Sequence, residues 1–149
     1  MPAPLYFEDL VAGQRFVSRT HALDAAQIIA YAREFDPQPF HLDDAAAQSS
    51  FFGGLAASGW LVASITMRLI VESVPIAGGI IGGGGEIQWP TPTRPGDILR
   101  AESEIVEITP SRSRPERGMA VLRITTLNQN GEQRQVVTPR VIVPRRPGG

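Results

Sequence analysis

Apolar and polar residues recur along the chain with two different periods. In residues 24–35 the apolar side chains lie at helical spacing behind an acidic N-cap, which predicts a helix that ends near Phe35. A short second helix is predicted after Asp43 or Asp44, because either residue can cap it. Residues 57–71 are apolar on nearly every side, and a helix with that pattern is a buried one.

From residue 80 onward the pattern becomes that of β-strands. Turn-forming residues separate three predicted strand segments, residues 98–108, 119–127 and 133–143, and apolar and polar residues alternate within 101–107 and 121–126. Such alternation is typical of a sheet with one face on the core and one face in water. The sequence therefore predicts an α+β fold in which an antiparallel sheet wraps around the central apolar helix.

Length and composition predict a single domain. With 149 residues and 42% hydrophobic content, the chain is long enough for one core and short for two. We expect one domain over residues 1–149, with frayed ends at residues 1–4 and 144–149. The absence of cysteine excludes a disulfide framework, a thiolate metal site and a cysteine nucleophile.

Charge and hydropathy exclude further classes of function. The formal net charge is −1 and no basic cluster lies on a predicted helix, so nucleic acid is not an expected partner. Every basic side chain other than histidine is arginine, which excludes a lysine Schiff base and a phosphate-loop lysine. The N-terminus lacks a basic flank and no apolar stretch reaches the length of a membrane span, so we expect a cytoplasmic protein without a membrane partner.

An acid and a histidine stand close together in "DPQPFHLD", residues 36–43. Each proline disfavours helix at the residue before it, so we expect residues 36–40 to be extended and stiff. A metal site built on His41 would need further ligands, and with two histidines in the whole chain we expect no bound metal. A lone histidine of this kind is more often structural, but Asp36 and His41 together suit proton transfer to and from water.

The start of the apolar helix offers a second chemical feature. Ser58 is a good N-cap, and Gly59 has no side chain to obstruct a ligand that approaches its N–H. The first N–H groups of a helix have no intrahelical acceptor, so they can stabilise negative charge on a thioester oxygen as an enolate develops. The sequence therefore predicts an oxyanion hole at Gly59.

These motifs resemble those of a known family. In order and spacing, "DPQPFHLD", the later "ASGWLVAS" and the "PGD" turn at residues 95–97 are similar to the motifs of the MaoC-like dehydratases, the (R)-specific enoyl-CoA hydratases of hot dog fold. The resemblance covers most of the chain. Two positions depart from the family pattern: Gln38 stands where asparagine is usual, and Ser58 stands where many members carry histidine before the glycine.

The resemblance implies a function and a set of roles. It implies a hydro-lyase that adds water to 2-enoyl thioesters of CoA or of a carrier protein, or removes water from 3-hydroxyacyl thioesters. Asp36 and His41 would share the catalytic water, and the Gly59 N–H would polarise the thioester carbonyl. The residues expected to bind substrate are Gln38, Ser58 and Trp60.

The same resemblance implies no metal or redox cofactor and an assembly of at least two chains, with the substrate tunnel at their interface. It leaves open which residue of the pair is the base. Imidazole chemistry favours His41 as the base in hydration, with Asp36 protonating the α carbon. Two other functions compete: a hot dog acyl-CoA thioesterase, and a non-catalytic subunit that binds acyl thioesters. Thioesterases of this fold generally carry a carboxylate on or near the central helix, where the first acid of this chain is Glu72.

Overall fold

A computed structural model describes residues 3–148 of the chain. The helices, after a 3-10 turn at Phe7–Asp9, are α1 (Ala25–Phe35), α2 (Pro39–Leu42), α3 (Asp44–Ala47) and α4 (Gly59–Ser73). The strands are β1 (Arg15–Val17), β2 (His21–Ala22), β3 (Ile81–Gln88), β4 (Ile98–Pro110), β5 (Arg117–Leu127) and β6 (Gln133–Pro144). The three predicted strand segments are β4, β5 and β6.

The six strands form one antiparallel sheet in the order β1-β4-β5-β6-β3, and β2 pairs with a separate part of β4. Along β4 the buried positions alternate with half-buried polar ones, so one face of the sheet is apolar. Helix α4 packs on that face. The predicted α+β fold, with an antiparallel sheet around a central apolar helix, is confirmed, and it is the hot dog arrangement.

The core lies between α4 and the inner face of the sheet. Burial of each large apolar side chain contributes about 1.5–3 kcal/mol relative to leaving it in water. The fully buried residues of this core include Val62, Leu69, Leu99, Ile105, Leu122, Ile124 and Val141. These positions come from the helix and from three neighbouring strands, so the core fixes α4 against the sheet.

The prediction that α4 is buried on nearly every side is wrong for its outer face. The side chains of Trp60, Met67 and Val71 are exposed by 58%, 48% and 52%. Exposed apolar residues that share one helix face mark a surface for a ligand or another chain. A sequence pattern shows that a face is apolar, but it does not show whether the same chain covers that face.

Strand β3 lies at the edge of the sheet and is exposed at nearly every position. None of the three predicted strand segments includes β3, because it contains four consecutive glycines and glycine is depleted in strands. The register against β6 shifts between Gly82 and Gly85. At Gly85 a β-carbon would lie 2.4 Å from the carbonyl oxygen of Thr138, so this close approach of two backbones requires glycine.

The expectation of an extended segment over residues 36–40 is wrong from Pro39 onward, where α2 begins. Proline restricts the residue before it, and its own fixed φ suits the first position of a helix. Gln38 is accordingly extended, with φ −102° and ψ 147°, and His41 lies on the helical turn that follows. The two prolines therefore produce a bend into a helix.

The C-terminal end also differs from the expected frayed segment. Strand β6 continues to Pro144, and the Arg145 N–H donates to the carbonyl of Glu116 at 2.8 Å. The Arg146 guanidinium pairs with Asp9 at 2.7 Å. Residues 1, 2 and 149 of the expected frayed ends lie outside the described residues.

A buried ion pair fixes the turn at residues 95–97. Asp97 accepts from the Arg134 guanidinium at 3.0 Å and from the backbone N–H of Arg94 at 2.9 Å. Asp97 and Arg134 are exposed by only 5% and 7%. Gly96 has φ +90°, a conformation that favours glycine. The turn is therefore tied to β6 by charge as well as by backbone geometry.

Replacement of Arg134 by methionine is expected to lower the free energy of unfolding by about 3–5 kcal/mol, because it leaves the Asp97 carboxylate buried without its positively charged partner. The matched control is Arg68→Met, which removes an arginine with a 73% exposed side chain from a pair with Glu72. That loss is expected to be too small to resolve. Urea unfolding followed by circular dichroism measures both, and equal losses would contradict the structural role of the buried pair.

Candidate active site

His41 is held by the backbone of a neighbouring buried segment. Its side chain lies on α2, and the residue is 5% exposed. Nδ1 of the ring lies 2.6 Å from the carbonyl oxygen of Ala56, and the Ala56 N–H donates to the carbonyl of Phe40 at 3.0 Å. A carbonyl oxygen only accepts, so Nδ1 carries a proton and donates it. Nε2 is therefore the ring atom that can exchange a proton with a ligand.

Asp36 faces that nitrogen. It caps the C-terminus of α1, and its Oδ2 lies 3.3 Å from Nε2 of His41. The Gln38 side-chain amide donates to Oδ1 of Asp36 at 2.5 Å. Burial acts to raise the pKa of Asp36, but hydrogen bonds from Gln38 and the Ser58 hydroxyl, together with the charge on His41, outweigh it. The pKa of Asp36 lies below its ordinary value, so its carboxyl group is ionised at neutral pH.

The N-terminus of α4 lies beside this pair, as predicted. The fully buried Ser58 is the N-cap, and its hydroxyl oxygen accepts from the Trp60 N–H at 3.3 Å. Among the described residues, the Gly59 N–H has no backbone acceptor outside the helix, and the first helical N–H groups have none within it. A ligand oxygen in front of Gly59 would meet this N–H and the positive end of the helix dipole.

A cavity of about 320 Å³ connects these groups. That volume is at the small end of the range for ligand sites, roughly 300–1,000 Å³. Among the described residues, its walls include Asp36, His41, Gly59, Trp60, Phe51, Phe52, Trp89 and Arg134. The walls combine aromatic surface with an acid, an imidazole and a helix start, so the cavity can hold an apolar group beside polar chemistry.

The structure brings together four of the six residues predicted for the site, namely Asp36, His41, Gly59 and Trp60. Gln38 and Ser58, expected to bind substrate, do not line the cavity among the described residues. Gln38 hydrogen-bonds Asp36 instead, and the Ser58 hydroxyl acts to lower the pKa of the same carboxyl group. The longer glutamine side chain reaches the carboxylate directly, so this departure from the family pattern braces Asp36.

Three residues at the site were missed by the sequence analysis. Ala56 acts through its backbone, and no sequence signal marks a carbonyl that will orient a histidine. The fold places Trp89 and Arg134 at the cavity. Trp89 directly follows the edge strand β3, and Arg134 lies on β6. In the sequence, Trp89 directly precedes the segment "PTPTRPGD", which ends in the turn motif at residues 95–97. That position was the one sequence signal that could have pointed to Trp89.

Within residues 3–148 no cluster of three or more histidine, cysteine, aspartate or glutamate side chains is placed to hold a metal ion. In the same part of the chain, no helix combines the length and apolar character that crossing a bilayer requires.

Comparison with known proteins agrees with the fold. The MaoC like domain family matches residues 10–127, and this chain belongs to that family. A crystal structure of a MaoC-like dehydratase from Rhodospirillum rubrum is 58% identical, with a TM-score of 0.94 over 96% of this chain and 99% of that one.

Two further relatives carry names that describe an activity. The unliganded R-hydratase from Pseudomonas aeruginosa is 25% identical, with a TM-score of 0.75 over 96% of this chain and 88% of that one. A 3-hydroxybutyryl-CoA dehydratase from Methylorubrum extorquens is 27% identical over 74% of this chain and 69% of its own length. Family and relatives together support a hydratase or dehydratase.

Proposed function

We propose that this protein adds water to 2-enoyl thioesters, or removes it from 3-hydroxyacyl thioesters, with Asp36 and His41 as the proton-transfer pair. The observation that carries the proposal is the 3.3 Å contact between the two side chains inside a cavity that also contains the start of α4. An acid, an imidazole and an unpaired helical N–H are the groups that this reaction requires. The activities named for the relatives support the same reaction.

In the hydration direction, the ionised Asp36 takes a proton from water as the water oxygen bonds to C3 of the enoyl group. The electron pair of the double bond moves onto the thioester oxygen, where the Gly59 N–H stabilises the charge. Nε2 of His41 then delivers a proton to C2. This order reverses the preference drawn from imidazole chemistry, because a carboxyl group with a lowered pKa is ionised at neutral pH and holds no proton to deliver to C2.

The contact between the two side chains also restores the pair. After one turnover Asp36 holds the proton taken from water, while Nε2 of His41 has lost its own. A proton transfer across the 3.3 Å contact returns both groups to their starting state. The hydrogen bond from Nδ1 to Ala56 is retained throughout, so the ring keeps its orientation.

We further propose that two chains assemble through the exposed face of α4 and the free edge of β3. The outer face of α4 carries Trp60, Met67 and Val71, and an edge strand with unpaired backbone groups is a template for another strand. The cavity wall includes Trp60, so such an assembly would place a second chain next to the substrate.

The two competing functions, thioesterase and binding-only subunit, can be distinguished by whether a product forms and which product it is. A thioesterase of this fold generally carries a carboxylate on or near the central helix. In this chain Glu72 lies at the far end of α4, where its carboxylate pairs with Arg19 and Arg68. A binding-only subunit would bind acyl thioesters without turnover. Butyryl-CoA and crotonyl-CoA separate the three functions: free thiol indicates thioesterase activity, loss of enoyl absorbance indicates hydration, and binding alone indicates a subunit.

Asp36→Asn and His41→Gln are each expected to lower the kcat for hydration of crotonyl-CoA by about 10²- to 10⁴-fold, because each removes one partner in proton transfer. The decrease in enoyl-thioester absorbance measures the rate. Two matched controls use the same chemical changes elsewhere: Asp43→Asn, at the N-cap of α3, and His21→Gln, which contacts Gln27. Both controls should keep most of the activity. If Asp36→Asn or His41→Gln also kept most of it, the proposal would be wrong.

Light scattering is expected to give the mass of two chains or a multiple of it. Met67→Glu should shift the protein toward single chains, because it places a charge on the apolar face of α4. Val17→Glu is the control, since Val17 is an exposed apolar residue on β1. A wild-type mass of one chain, or equal effects of the two variants, would contradict assembly through α4.

A further inference from the structure

Trp89 is held in the cavity wall from three sides. Its indole packs directly on Gly59, where a β-carbon would lie 2.5 Å from Cε2 of the ring. The ring of Trp60 meets it edge to face, with 5.2 Å between centroids. The indole Nε1 donates to the side-chain oxygen of Gln135 at 2.9 Å, and Gln135 is 1% exposed. Glycine at position 59 is therefore required by the indole as well as being suited to a thioester.

The remaining surface of Trp89 is open. The residue is 39% exposed and lines the same cavity as Asp36 and His41. An aromatic ring with a fixed orientation cannot swing aside without losing the Gln135 hydrogen bond and its packing on Gly59. The indole therefore limits the space beside the reacting groups as a rigid wall would.

We propose that Trp89 determines how large an acyl group the cavity admits, and that Gln135 is the positioning residue that holds the indole in place. The inference rests on the proposed function, because it takes the apolar part of the ligand to be the acyl chain of a thioester. A cavity of about 320 Å³ with this wall fits a short, unbranched acyl group. Longer chains would have to displace the indole.

Gln135 can act through a single contact. Its side chain lies on β6, fully buried, and its oxygen is the acceptor for Nε1 of Trp89. An isosteric methionine would keep the packing but remove the acceptor. The indole would then be free to turn, so a change at a residue outside the cavity wall should alter the preference for chain length.

The test uses binding, which does not depend on turnover. Calorimetry with butyryl-, hexanoyl-, octanoyl- and decanoyl-CoA gives the affinity for each length, and release of free thiol is followed in parallel. Wild-type protein is expected to bind butyryl-CoA at least tenfold more tightly than octanoyl-CoA. In Trp89→Leu that ratio should fall at least tenfold, and in Gln135→Met it should fall by a smaller factor.

Two controls accompany these variants. Trp89→Phe keeps a ring over Gly59 but loses the hydrogen bond to Gln135, so its ratio should fall about as far as in Gln135→Met and less than in Trp89→Leu. Tyr6→Leu removes an aromatic ring that stacks with Arg146 outside the cavity, and should leave the ratio unchanged. If Trp89→Leu fails to fold, Gln135→Met and Trp89→Phe still decide the question through the same ratio.

An unchanged ratio in Trp89→Leu, or wild-type protein without a length preference, would overturn the inference. The proposed function fails in a different way, namely when wild-type protein binds short acyl-CoA selectively but does not hydrate the corresponding enoyl-CoA. In that case Trp89 would still set the size of the bound acyl group, and the reaction assigned to Asp36 and His41 would be wrong.

Discussion

The site depends on the backbone of one buried residue, Ala56. Its N–H donates to Phe40 and its carbonyl accepts from Nδ1 of His41, so a single backbone position fixes both the helical turn that carries the histidine and the orientation of the ring. With Nδ1 occupied, the remaining nitrogen faces Asp36 at 3.3 Å. In the proposed reaction, this geometry leaves Nε2 of His41 and Oδ2 of Asp36 as the pair of atoms placed for proton exchange.

The position of Ala56 is itself fixed by the turn that precedes β4. Arg94 donates to the carbonyls of Phe52 and Gly54, and the adjacent Ala57 N–H donates to Thr93. The N–H of Arg94 in turn binds Asp97, the acid of the buried ion pair with Arg134. The motif at residues 95–97 is distant in sequence from His41, but these contacts join it to the segment that orients the ring.

Aromatic residues give the cavity its shape. Trp89 and Trp60 close one side, and Phe52 stacks near both Phe40 and His41 with centroid distances of 5.0 Å and 6.0 Å. Aromatic pairs in such tilted or edge-to-face arrangements add about 0.5–1.5 kcal/mol beyond burial alone. An apolar wall lowers the effective dielectric constant beside it, which would strengthen the interaction of a ligand oxygen with the Gly59 N–H.

Much of this arrangement could be predicted from the sequence because it is local. The N-caps at Asp24, Asp43 and Ser58, the period of α4 and the alternation in β4 all depend on neighbouring residues. What could not be predicted depends on contacts between distant segments. The glycine run gave no strand signal, although β3 is held by pairing with β6.

The residues missed at the site share that cause. The role of Ala56 is carried by a backbone carbonyl, and the side chain gives no indication of it. Trp89 and Gln135 meet only because β3 and β6 are neighbours at the edge of the sheet. Gln38 and Ser58 were named from the family pattern as substrate-binding residues, whereas Gln38 hydrogen-bonds Asp36 and the Ser58 hydroxyl accepts from the Trp60 N–H and lowers the pKa of Asp36.

The central claim is that Ala56 fixes the proton on Nδ1 of His41 and leaves Nε2 for exchange with Asp36. Nitrogen-15 NMR of the histidine rings tests this most directly, and His21→Gln assigns the signals because the chain has two histidines. Nδ1 of His41 is expected to carry a proton in the folded protein, and the unprotonated nitrogen of a neutral ring is expected to be Nε2. A neutral ring with the proton on Nε2 and none on Nδ1 would contradict it.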